Sequence, residues 1–122
     1  MKILITIILL TYNAFSQNYG ELLFSGNCVT CHHKTENISA PSVNEIRKHY
    51  INAFPNEKDF VKFMSEWVLK PDATTSIMQH SIKKYKLMPE LAYEKYTLEE
   101  IAKYIYKTDF NMQQKLEHKS LD

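Results

Sequence analysis

Apolar positions in this chain recur at three- and four-residue spacing, which is the mark of one helical face after another. Tyr19-Gly20-Glu21-Leu22-Leu23-Phe24 reads as a short first helix, and the polar run from His33 to Ala40 reads as a loop. Pro41 opens a second helix in which Val43, Ile46, Tyr50, Ala53 and Phe54 share a face, and Pro55 closes it. Asn56 is placed to cap a third helix, with Glu57 and Asp59 in its first turn, where carboxylates favour the positive end of the helix dipole. Its apolar stripe is Phe60, Val61, Met64, Trp67 and Val68, and Pro71 stops it. A fourth helix is predicted from about Ala73 to Tyr85, with Ile77, Met78, Ser81, Ile82 and Tyr85 on one side. Residues 86–96 carry Pro89 and no clean period. The last helix opens on a capping-box pattern, Thr97-Leu98-Glu99-Glu100, and buries Leu98, Ile101, Ala102 and Ile105. No stretch alternates with period two for long, so the pattern predicts an all-α domain over residues 17–110, followed by a polar tail, 111–122.

The N-terminus changes the picture. Met1-Lys2, an apolar run from Ile3 to Leu10 broken by Thr6, and the small-x-small triplet Ala14-Phe15-Ser16 read as a secretory signal peptide over residues 1–16, cleaved before Gln17. An apolar run this short falls well below the roughly 20 residues that span a bilayer. Cleavage leaves 106 of the 122 residues, enough for one small domain, exported and periplasmic. The full chain has 15 Lys+Arg against 14 Asp+Glu, and the leader holds only Lys2, so the mature charge is balanced. That balance gives no footprint for nucleic acid and no strong steering from net charge.

The chemistry is concentrated in Cys28-Val29-Thr30-Cys31-His32. C-x-x-C-H is the attachment pattern for a c-type haem. The two thiols add to the two vinyl groups on one haem edge, and the adjoining imidazole becomes an axial ligand of the iron. C-x-x-C alone also suits a thioredoxin-like redox pair, half of a zinc site or a plain disulfide. A thioredoxin-like pair belongs near a βαβ pattern, which is absent, and a zinc site needs two further ligands at recognisable spacing. The chain has only these two cysteines. Export and haem attachment support each other from separate stretches of sequence. The expected cofactor is therefore one covalent haem c, tethered by Cys28 and Cys31 and ligated by His32.

The opposite face of the iron decides the chemistry: a second strong ligand makes an electron carrier, and an open face permits gas binding or peroxide chemistry. Met64 and Met78 sit within helical apolar stripes, where methionine is usually core filler, and Met112 lies in the polar tail. Met88 stands in the irregular stretch between two helices, with Pro89 after it, where a loop can lay its thioether over the haem. Among the histidines, His33 is too close to His32 to reach the other face, while His49 and His80 lie in polar helical surroundings. Met88 is the expected ligand, with Met78 and His80 as alternatives.

Taken together these stretches resemble the class I c-type cytochromes, small monohaem electron carriers of the bacterial periplasm. The resemblance runs in order through Gly20 to Phe24, the motif at 28–32, Ser39-Ala40-Pro41, Leu87-Met88-Pro89 and Ala102-Lys103-Tyr104-Ile105. It implies a small helical domain wrapped around one haem, with His32 and Met88 as axial ligands. It also implies that the Pro41 carbonyl accepts the Nδ1–H of His32. Gly20 would let the first helix approach the last one, with Tyr104 packing at the crossing. Trp67 would be a candidate donor to a haem propionate. Two features depart from the family: His33 stands where a small residue is usual, and the mature chain has just two glycines, Gly20 and Gly26. The implied function is single-electron transfer between redox protein partners, such as a membrane oxidoreductase or a terminal oxidase, through transient docking on membrane complexes. It is not an enzyme on this reading. The competing readings are a haem-based ligand sensor or peroxidase-like module with an open sixth position, and a haem subunit of a larger oxidoreductase.

Overall fold

The computed structural model describes residues 19–121, and among them every regular element is a helix. α1 occupies residues 19–27. α2 is Val43–Ala53, α3 Glu57–Leu69, α4 Gln79–Tyr85, α5 Lys95–Lys107 and α6 Phe110–Lys119. The expected leader, residues 1–16, lies outside the described residues. None of the described helices is long and apolar enough to cross a membrane.

Side-chain caps set where several helices begin. Asn56 caps α3 as expected, its side chain accepting from the Asp59 amide. α2 begins two residues beyond Pro41, because the Ser42 side chain accepts from the Glu45 amide and starts the helix at Val43. The pattern expected to cap the last helix does not do so. α5 starts at Lys95 behind Glu94, which places Thr97 inside the first turn. Glu100 is instead buried and accepts from Lys103 Nζ at 2.7 Å. The fourth helix is shorter than its apolar period suggested. Asp72 folds residues 73–75 into a turn, accepting from the Thr74 amide through Oδ1 at 2.7 Å and from the Thr75 amide through its carbonyl at 3.3 Å. Gln79 Nε2 then ties the turn down by donating to the carbonyls of Ala73 and Ser76.

The polar tail forms a helix of its own. Asp109 caps α6 by accepting from the Met112 amide, and Phe110 at its start is fully buried. Three aromatic rings from distant parts of the chain meet there. Phe24 of α1 lies 5.5 Å from Tyr104 and 5.9 Å from Phe110, and Tyr104 meets Phe110 edge-on at 5.9 Å. These are favourable aromatic geometries. A second group joins α2, α3 and α5: Phe60 packs edge-on against Tyr50 at 5.8 Å and against Tyr106 at 5.1 Å.

At the crossing of α1 and α5, a Cβ added to Gly20 would lie 2.8 Å from the Glu100 carbonyl oxygen and 2.9 Å from Tyr104 Cβ. Only a glycine fits there without displacing backbone. Arg47 of α2 closes the far end of α5, donating to the carbonyls of Ile105 and Tyr106 at 2.9 to 3.2 Å. These are carbonyls that the helix itself leaves unpaired.

Candidate functional site

The Cys28 amide donates to the Phe24 carbonyl at 2.9 Å, which carries the helical register of α1 into the C-x-x-C-H segment. The amides of Cys31 and His32 both donate back to the Cys28 carbonyl, at 3.3 and 2.9 Å, so the five residues form one tight turn. His32 Nδ1 lies 2.8 Å from the Pro41 carbonyl oxygen. A carbonyl can only accept, so Nδ1 carries the proton and Nε2 keeps its lone pair for a metal. The bond also fixes the orientation of the ring.

His33 explains how the loop turns without a small residue. Its Nδ1 accepts from the amides of Thr35 and Glu36, at 3.4 and 3.2 Å. The imidazole thereby does what the side chain of Asn or Asp does in a turn. The loop then folds back on α2, with the Val43 amide donating to the His33 carbonyl and the Asn44 amide to that of Lys34. No sequence rule for turns includes histidine in this role, and the reading of residue types alone missed it.

One cleft takes in residues of five helices and of the loops between them. It holds about 1420 Å³ of empty space, counting the part open to solvent. The volume open to the centre of a water molecule is about 270 Å³, close to the lower end of the roughly 300–1,000 Å³ of small-molecule sites. Phe24, Val43, Ile46, Leu98, Ile101 and Ile105 give it apolar walls. Cys28, Cys31, His32 and Met88 all line it. Met64 and Met78 line it too. Met64 is buried within α3, whereas Met78, expected on a helical stripe, is the residue that precedes α4 and is buried on the cleft outside any helix, because the Asp72 turn shortens that helix. His33, His49, His80 and His118 are exposed and none of them lines it, so the bis-histidine alternative through His80 loses its geometric basis.

Met88 belongs to a segment, residues 86–94, that holds no helix. Two non-glycine residues there take positive φ: Lys86 at φ 73° and Ala92 at φ 55°. Lys86, with ψ 176°, lies in a region that is nearly exclusive to glycine. Tyr93, next to last in the segment, donates its hydroxyl proton to Asn27 Oδ1 at 3.1 Å. The Trp67 indole N–H donates to the Asp72 carbonyl at 3.0 Å, so its partner is backbone and not a propionate.

Burial pushes the Cys28 thiol up to about 11. A redox-active C-x-x-C pair needs the opposite, a thiol shifted down so that thiolate is present at neutral pH. Among the described residues no three His, Cys, Asp or Glu side chains converge as a metal cage. The donor set that does converge is two thiols, one imidazole nitrogen and a thioether around an apolar space. It fits a flat apolar macrocycle held by its edge and by a central soft metal. Set against known protein families, curated proteins and solved structures, the chain matches none of them.

Proposed function

We propose that this chain is an exported, monohaem c-type cytochrome that carries single electrons between redox proteins. The observation that carries the reading is the meeting of Cys28, Cys31 and His32 with Met88, 56 positions further on, in one apolar cleft. Cys28 and Cys31 would hold the haem through thioethers, and His32 Nε2 and the Met88 thioether would be the ligands of its iron. A haem bound there supplies an iron that cycles between the ferrous and ferric states. The protein does the rest. Pro41 holds the imidazole by its Nδ1–H, and the apolar walls exclude water. Burial keeps the local dielectric low, which limits rearrangement when the charge changes. A thioether ligand favours reduced iron and raises the potential relative to two imidazoles. Redox partners, a membrane oxidoreductase or a terminal oxidase, dock transiently through a small interface.

The test uses protein from the periplasmic fraction of a host with haem-attachment machinery. Intact mass should equal the chain from Gln17 plus one haem that acidified organic solvent does not extract. The ferric protein should show the weak far-red band of sulfur–iron ligation, and the ferrous protein should bind carbon monoxide poorly. Met88→Ala should abolish the band and lower the potential, with the haem still attached, whereas Met78→Ala should leave the band in place. Extractable haem would refute the covalent reading. Rapid carbon monoxide binding by the unmodified protein would refute the carrier in favour of a sensor or a peroxidase-like module.

A further inference from the structure

Residues 87–93 leave the body of the molecule and return to it without secondary structure. The Lys86 amide still bonds to the Ile82 carbonyl at 2.9 Å, and Glu94 accepts from the Leu98 amide as α5 begins. Between those two points, among the described residues, the Tyr93–Asn27 bond is the one hydrogen bond that ties the segment down. Glu90 and Ala92 are exposed and add little packing, while Leu87, Met88, Pro89, Leu91 and Tyr93 line the cleft. The entry through Lys86 is strained. A segment with a strained entry and one such hydrogen bond opens readily.

The far partner of that bond is unusually well placed. Asn27 precedes Cys28, and its Nδ2 donates to the Leu23 carbonyl at 2.7 Å. That bond settles which way the amide faces, because the Leu23 carbonyl can only accept, so Oδ1 is presented to Tyr93. Asn27 and Tyr93 both line the cleft, Asn27 next in sequence to Cys28 and Tyr93 five residues after Met88. We infer that Tyr93 and Asn27 form a latch that holds segment 87–93 closed on the cleft and so keeps Met88 on the iron. This rests on the His32/Met88 reading above. Tyr93 is a positioning residue: it touches neither iron nor substrate, and acts by setting how often Met88 is away.

The holoprotein tests this. Tyr93→Phe removes one hydroxyl and keeps the ring. A single hydrogen bond is worth about a three- to tenfold change in an equilibrium. Tyr93→Phe should therefore raise the affinity of the ferric protein for imidazole roughly three- to tenfold. It should also speed amide exchange in residues 87–93 by a similar factor, while the haem stays covalently attached. Asn27→Leu should reproduce both effects, and the double variant should go no further than either single one, as coupled partners do. Tyr96→Phe, on an exposed ring, should change nothing. Wild-type imidazole affinity and exchange in Tyr93→Phe would overturn the latch, as would fully additive effects in the double variant. If the wild type lacks the sulfur–iron band, the ligation reading falls by itself, and exchange in residues 87–93 decides the latch alone.

Discussion

Single residues carry most of the site's character. Lys86 holds a backbone conformation that costs a non-glycine residue about 1–3 kcal/mol. Lys86→Gly should relieve that strain, less the extra freedom glycine has when unfolded, for a net gain of about 1 kcal/mol in a urea titration. Tyr50 is buried on the cleft wall, and burial pushes its hydroxyl from 10.0 up to about 12. The folded state keeps that proton through a range in which the unfolded chain has lost it. Its contribution to stability is therefore complete below pH 10 and is lost as pH rises from about 10 to about 12, up to about 3 kcal/mol in all. Tyr50→Phe should flatten this alkaline arm in stability measured by urea at several pH values; an unchanged arm would show that another group is responsible. The C-x-x-C-H pattern was legible at this scale because its chemistry is local. The ring of His33 as a turn-former was not, since its acceptor role depends on where the amides of Thr35 and Glu36 come to lie.

At the scale of elements, periodicity served well where one face is buried and poorly where it is not. α2 and α3 have clear apolar stripes and were readable from them. α6 has Phe110 buried, but Met112 and Leu116 are 60% and 62% exposed, so no stripe announces it. It is held by contacts across long stretches of chain: Glu117 accepts from Lys34, Asn111 from Asn44, and Gln113 reaches Glu21. Such pairs leave no periodic trace. Two S/T-x-x-E patterns behave differently for a related reason. Ser42 caps its helix, whereas Glu100 is drawn to Lys103 and Thr97 falls within the first turn of α5. The α1–α5 crossing gives the sharpest test. Gly20→Ala forces a Cβ against the Glu100 carbonyl and Tyr104 Cβ, and overpacking of this kind costs about 2 kcal/mol. The denaturation midpoint should fall accordingly, while Gly26→Ala, with nothing within 4 Å, should not lower it by a clash.

For the whole molecule, the all-helical class followed from the sequence, while the cleft did not, because it arises where five helices and the loops between them happen to leave space. A chain of 122 residues has little core to spare, and the cleft is lined by core residues of five helices, among them Phe24, Val43, Ile101 and Ile105. If the proposed haem completes the interior, replacing Cys28 and Cys31 together should weaken cooperative unfolding, read as a broadened thermal transition in circular dichroism. Trp67 turns that dependence into something visible. It is the single tryptophan of the chain and stands on the cleft wall. With the proposed haem in that cleft, an indole so close to a strongly absorbing porphyrin would hand over its excitation energy and scarcely glow. As the chain expanded, the two chromophores would part and the emission return, so the darkness of one side chain would report the intact fold and its brightening would time the moment the fold is lost.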